Sequence, residues 1–184
     1  MTRTQSSLLL AIRRASVVVC LLATCGSQLC RAADPPLEYQ VKAAFLLNFA
    51  KFVEWPANAF AAPDAPISIC ILGDDPFGGV LDQIVEGESI DGRKIAVRRM
   101  KRPSASPACQ IMFVSKSEKA FSASELGPGV LTVGEGEGFL AHGGVIAFVI
   151  EDRRVRFDVG KSAAEKAGLK LSSKLLRVAR AVER

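Results

Sequence analysis

Apolar residues recur every three to four positions along residues 38–53, which predicts a long helix. Leu46 and Leu47 widen the apolar stripe, so we expect this helix to be largely buried. Trp55 and Pro56 follow directly and end the helix, because proline cannot continue one. The stripe consists of Val41, Ala44, Phe45, Phe49, Phe52 and Val53.

Shorter apolar runs predict the strands of a sheet. Residues 67–72 and 110–114 are nearly continuous apolar runs, which are typical of strands buried on both faces. Residues 130–133 predict another strand. Residues 94–99 alternate apolar and charged side chains and predict a half-exposed strand. A hairpin is predicted later in the chain, with strands at residues 145–150 and 154–159.

Turn and cap signals predict further helices. After the first strand, Asp75 and Pro76 have the positions of an N-cap and a first helical residue. Two more helices are predicted at residues 117–126 and 161–167, the second ended by Gly168. A last helix begins near Ser172 and carries Leu175, Leu176, Ala179 and Val182.

The order of these elements predicts the fold class. Strands and helices alternate after the first helix, and a hairpin and two helices follow. We therefore expect a three-layer single α/β domain with a mixed, mostly parallel sheet flanked by helices. The strand order stays open, because the link between positions 99 and 110 is too short for an ordinary helical crossover.

The first 33 residues have the pattern of a secretory signal peptide. Arginines without any acid precede a short apolar run at residues 17–23, and small residues follow before Asp34. We therefore expect an exported domain at residues 34–184. A short membrane anchor is one alternative, and lipidation of Cys25 in the sequence LATC is another.

Removal of this segment changes the net charge of the chain. The whole chain has 24 basic and 19 acidic residues, a net charge of +5. Four arginines and no acids lie in the first 33 residues, which leaves 20 basic residues against 19 acidic ones and a net charge of +1. The basic composition therefore gives no reason to expect nucleic-acid binding.

Two of the five cysteines lie in the predicted exported domain. Cys70 lies inside the first strand, and Cys109 directly precedes the strand at residues 110–114. If these strands are neighbours, the thiols lie within bonding range, and a pair of cysteines in an exported protein favours a disulfide. The alternative is two free buried thiols that pack as small apolar groups.

Other polar motifs do not form a recognisable reactive site. Residues 134–138 alternate Gly and Glu but lack the Lys and Ser/Thr of a phosphate loop, so we expect a mobile acidic loop. The single histidine, His142, has no Cys or carboxylate at ligand spacing. A helix cap explains Asp74 and Asp75 better than a cation site. We expect no catalytic, cofactor-binding or metal-binding residues.

Basic residues recur at helical spacing in the last predicted helix. A solvated helix face explains them, and a membrane surface or an acidic partner is an alternative for an exported protein. The same interpretations apply to the basic cluster at residues 98–102. The helical positions are Lys170, Lys174, Arg177, Arg180 and Arg184.

Several motifs in order along the chain resemble the YfiR-like family of periplasmic proteins. The longest are YQVKAAF at residues 39–45 and NFAKFVEWP at residues 48–56. The similarity covers about residues 38–182. The other motifs are ILGDDPFG at 71–78, GRKI at 92–95, RVRF at 154–157 and AGLKLSSKLL at 167–176.

The resemblance implies a signalling regulator rather than an enzyme. Its partner would be the periplasmic part of an inner-membrane diguanylate cyclase, whose restraint lowers cyclic-di-GMP and opposes biofilm formation. The family pattern also implies a disulfide between Cys70 and Cys109, whereas a second cysteine pair of some relatives is absent here. Membrane contact would run through the partner or a lipid anchor, and a homodimer is left open.

Two other functions stay open. A periplasmic small-molecule or ion sensor would hold its ligand in the cleft after the strand ends, near residues 73–77. An uncharacterised hydrolase is the third hypothesis.

Overall fold

The computed structural model describes residues 36–102, 109–118, 121–123, 126–136 and 138–183. All of these residues belong to one compact unit, Asp34–Arg184. The predicted signal peptide with Cys25 lies outside the described residues, and so does Arg184.

Most of the strands join in one mixed sheet. In chain order the described strands are β1 (Val53–Glu54), β2 (Ile67–Leu72), β3 (Ser89–Ile90), β4 (Arg93–Met100), β5 (Ile111–Val114), β6 (Leu131–Glu135), β7 (Ile146–Glu151), β8 (Arg154–Gly160), β9 (Lys170–Leu171) and β10 (Ala181–Glu183). Eight of them form a sheet in the order β10-β8-β7-β6-β5-β2-β4-β3. Neighbours are parallel except for the pairs β3–β4 and β7–β8. Separately, β1 and β9 pair antiparallel.

Helices cover the sheet and complete the layers. The described α-helices are α1 (Leu37–Ala50), α2 (Gly79–Val85), α3 (Gly138–Ala141), α4 (Lys161–Lys166) and α5 (Ser173–Val178), and a 3₁₀ turn spans Ala57–Ala59. The long helix α1 packs against α2 and over β8.

Alternate residues of the parallel strands face two separate cores. Ile69 and Ile71 of β2 belong to the main core, which contains the buried residues of α1. Cys70 and Leu72 of the same strand face a second core, against which Phe139 of α3 packs. Burial on both faces explains why β2 is apolar at every position except the buried Ser68. These layers confirm the predicted three-layer α/β domain with a mixed, mostly parallel sheet.

The predicted hairpin is confirmed as the antiparallel pair β7–β8. Its loop places Asp152 and Arg153 at φ 49° and 60°. Two consecutive left-handed residues suit the right-handed twist of a two-residue hairpin loop.

The helix predicted after Asp75 begins later than expected. Its N-cap is Gly78 rather than Asp75, and α2 starts at Gly79. Asp75 Oδ1 instead accepts hydrogen bonds from the backbone N–H groups of Phe77 and Gly78, at 2.8 and 3.2 Å. The carboxylate therefore caps the turn that precedes the helix, where its side chain competes with helical hydrogen bonding.

The end of the chain also differs from the prediction. Ser172 caps α5 as expected, but the helix ends at Val178, and the chain continues as β10, which pairs parallel with β8. The prediction of one helix that includes Val182 is therefore wrong, because pairing with a distant strand replaces the helix. The described positions of the helix predicted at residues 117–126 are not α-helical, and Ala123 among them has a 3₁₀ conformation.

Candidate functional site

Cys70 and Cys109 are joined by a disulfide in the structure, with their Cα atoms 5.8 Å apart. Both residues are buried, and they belong to the second core with Met112 and Val114. The bridge ties the residue two positions before β5 to the middle of β2. It therefore links two parallel strands at the side where β5 begins.

Lys42 of the YQVKAAF motif is a buried cation. Its side chain is 2% exposed, and its ammonium group forms ion pairs with Glu38 of α1 and Glu135 of β6. The Glu135 side chain is itself only 3% exposed. A charge is tolerated in such a place only when it is paired, so this pair fixes α1 to the end of β6.

Two further side chains reach Glu135. The Tyr39 hydroxyl donates to its carboxylate at 3.4 Å, and the Lys116 ammonium lies 3.5 Å from it. Burial and the negative charge of Glu135 raise the pKa of Tyr39 to about 12. The prediction of a mobile acidic loop at residues 134–138 is wrong at Glu135, which ends a strand and is held by these partners.

The sequence analysis did not identify the Lys42–Glu135 pair. One signal was present, because Lys42 interrupts a helix that the apolar stripe marks as largely buried. A lysine in such a position needs a buried acidic partner. The pattern alone does not say which of the acidic residues supplies it.

Three exposed apolar side chains belong to α1 and β7. Tyr39 packs edge-on against Phe77 after β2, and Lys42 pairs with the end of β6, so the first half of α1 lies where the parallel strands end. Strand β7 is parallel to β6, and its end also lies at this edge. We name the exposed residues Leu37, Val41 and Ile150 the apolar edge.

The cleft predicted near residues 73–77 is covered by the chain itself. The backbone N–H of Asp74 donates to the Ser117 hydroxyl at 3.3 Å. A Cβ on Gly73 would lie 2.8 Å from both Ser117 and Glu118, so the two segments touch directly. The crevice between the ends of β2 and β5 is thus occupied by the turn after β5, and a ligand site there is not favoured.

Arg99 connects β4 to the turn before α2. Its guanidinium donates to Asp75 Oδ2 at 2.6 Å, to Asp82 Oδ1 at 3.1 Å and to the Gly78 carbonyl at 2.9 Å. Hydrogen bonding to Arg99 lowers the pKa of Asp82. Arg99 and Asp75 are therefore used in a structural contact, which agrees with neither a cation site at Asp75 nor a free basic surface at Arg99.

The basic residues near the C-terminus do not form one helical face. Lys170 lies in β9, while Lys174 and Arg177 lie in α5. Arg180 follows the helix and donates through Nε to Asp158 of β8 at 2.8 Å. The predicted stripe is therefore interrupted, because Arg180 anchors the start of β10 to the sheet.

The single histidine of the sequence, His142, follows α3. Its Nδ1 lies 2.7 Å from the Gly138 carbonyl oxygen and donates to it, so the ring has a backbone partner. Among the residues that the structure describes, no group of three or more His, Cys, Asp or Glu side chains is placed to hold a metal ion. Within the same residues, none of the helices has the length and apolarity needed to cross a bilayer.

The fold and these contacts describe an α/β domain that has a buried ion pair, a disulfide and an exposed apolar edge. The family profile described as YfiR/HmsC-like matches residues 39–180, and the chain belongs to this family. Members are periplasmic regulators that work with a membrane sensor partner and are not known as enzymes. A comparison with curated proteins gives no match.

Proposed function

We propose that the protein is exported to the periplasm, binds the periplasmic part of an inner-membrane diguanylate cyclase and restrains it. The family match over residues 39–180 is the observation that carries this proposal. The signal-peptide pattern of the first 33 residues supports the location. Restraint of the cyclase lowers the cyclic-di-GMP concentration in the cell.

The apolar edge supports a role in binding. Leu37 is 73% exposed and Ile150 is 54% exposed, although both are large apolar side chains. Exposed apolar side chains grouped at one surface mark interaction sites, because burial against a partner removes them from water. The buried Lys42–Glu135 pair holds α1 in the position that presents Leu37 and Val41.

Such a regulator acts through a difference in affinity. It shifts the cyclase to its inactive state only to the extent that it binds this state more tightly than the active one. A 100-fold preference corresponds to about 2.8 kcal/mol. Burial of a few apolar side chains in one state alone supplies energy of this order.

Capture from membranes tests the proposal. A tagged protein is expressed in its native host, cross-linked in the periplasm and recovered with the membrane proteins bound to it, which mass spectrometry then identifies. We expect an inner-membrane protein with a diguanylate cyclase domain. Repeated recovery of other membrane proteins without any cyclase would contradict the proposed partner class.

Paired variants test the apolar edge separately. Ile150→Lys places a charge in this edge, whereas Val178→Lys changes a side chain of α5 that is 63% exposed. Both substitutions lie at exposed positions, and thermal unfolding checks that both variants fold. We expect the first to lose the partner and the second to keep it. Equal capture by both variants would exclude the apolar edge as the contact surface.

A further inference from the structure

A cavity of about 580 Å³ lies away from both the apolar edge and the predicted cleft. It is lined by Ser122 and Ala123, by residues 126–128, by α3 with the turn that follows it, and by α4. Thr132, Leu140 and Val145 contribute to the lining, and each is less than a tenth exposed. The volume falls within the range of about 300–1,000 Å³ that small-molecule sites occupy.

The lining combines apolar walls with one lysine side chain. Leu126, Val130 and Ala163 line the cavity together with the buried residues. Lys166 and His142 also line it, and none of the described lining residues is acidic. This combination favours a ligand that has an apolar body and a negative charge.

Lys166 is the cation available to such a ligand. It lies in the last turn of α4, and within the described part of the chain no carboxylate forms an ion pair with it. Lys161 of the same helix differs in both respects, because it lies 3.7 Å from Glu165 and does not line the cavity. The two lysines therefore make a matched pair for an experiment.

His142 adds a polar group to the same lining. Its Nδ1 donates to the Gly138 carbonyl at 2.7 Å. This hydrogen bond fixes the orientation of the imidazole ring before a ligand binds. The charge that attracts an anion comes from Lys166, which lines the same cavity.

We propose that this cavity binds a small organic monocarboxylate. The carboxylate pairs with the Lys166 ammonium in a charge-assisted hydrogen bond, and the apolar body lies against Leu140 and Val145. One ammonium group matches one carboxylate, so a ligand with a single negative charge fits better than a multiply charged phosphate. The site is independent of the proposed cyclase partner, and its test needs no signalling readout.

Titration with hexanoate and hexanamide tests the proposal. The two compounds have similar shape and differ in charge, and both are added to the protein purified from the periplasm. Calorimetry measures affinity, and thermal unfolding measures the stabilisation that a ligand of the folded state produces by mass action. We expect saturable binding of hexanoate that is about tenfold tighter than that of hexanamide.

The lysine pair locates the site. We expect Lys166→Gln to weaken hexanoate binding about tenfold and to leave hexanamide binding unchanged, because only the charge contact is lost. Lys161→Gln keeps the affinity of the unmodified protein for both compounds. Absence of hexanoate binding at millimolar concentration, equal affinity for both compounds, or equal losses in the two variants would overturn the proposal.

Discussion

Replacement of Lys42 by methionine tests whether the buried ion pair holds α1 on the sheet. The variant keeps the apolar stem but leaves the Glu135 carboxylate, which is 3% exposed, without its closest cation. Removal of one partner from a buried pair costs about 3–5 kcal/mol. Because Lys116 still lies 3.5 Å from Glu135, we expect a loss near the lower limit, about 3 kcal/mol.

Urea unfolding at pH 7 measures this loss, and Lys51→Met is the matched control. Lys51 follows the same helix, but its pair with Glu88 is 3.9 Å long and exposed on both sides, so its loss should cost less than about 1 kcal/mol. For a domain of this size, about 3 kcal/mol lowers the melting temperature by about 6–12 °C. A Lys42→Met variant no less stable than Lys51→Met would refute the structural role of the buried pair.

The double variant Lys42→Met/Glu135→Gln separates loss of the pair from the cost of an uncompensated charge. Neutralising Glu135 removes the buried carboxylate, so we expect the double variant to be more stable than Lys42→Met alone. The coupling energy is the loss of unfolding free energy in the double variant minus the sum of the losses in the two single variants. Additive losses would show that the two side chains stabilise the domain independently.

Three further changes test separate contacts. In Gly144→Ala the new Cβ would lie 2.2 Å from the Phe139 ring, so we expect urea unfolding to show a loss of about 1–3 kcal/mol, and an unchanged midpoint would contradict this contact. Cys109→Ser removes a disulfide between residues 39 positions apart and should lower the free energy of unfolding by up to about 4 kcal/mol. Alkylation of both thiols in the unreduced natural protein would disprove the bond. The pKa of Asp82 is lowered by Arg99, so the stabilising contact is complete above its usual pKa of 3.8 and is lost as the pH falls through the lowered value. The stability advantage over Asp82→Asn should therefore shrink in acid, and a pH-independent difference would contradict it.

Local sequence patterns determine much of this fold. The bounds of β2 are those of its mainly apolar run, because a strand buried on both faces is apolar at nearly every position. Ser172 caps α5 by accepting from the Leu175 backbone N–H at 3.2 Å, a contact between near neighbours in sequence. Such elements depend on short-range chemistry and can be predicted from one sequence.

Other features depend on residues that are distant in sequence. The last strand, β10, forms because β8 offers a free edge for parallel pairing, and Arg180 reaches Asp158 there. The Lys42–Glu135 pair joins residues that are 93 positions apart. The apolar edge likewise depends on where α1 lies relative to β7. The sequence pattern of neither element predicts this relative position.

The cellular concentration of cyclic-di-GMP tests the central proposal most directly. The gene for this protein is deleted in its native host and restored with the unmodified sequence or with Ile150→Lys. We expect cyclic-di-GMP to rise on deletion, to return with the unmodified protein and to stay high with the variant. An unchanged concentration after deletion, under conditions in which the protein is present in the periplasm, would contradict restraint of a diguanylate cyclase.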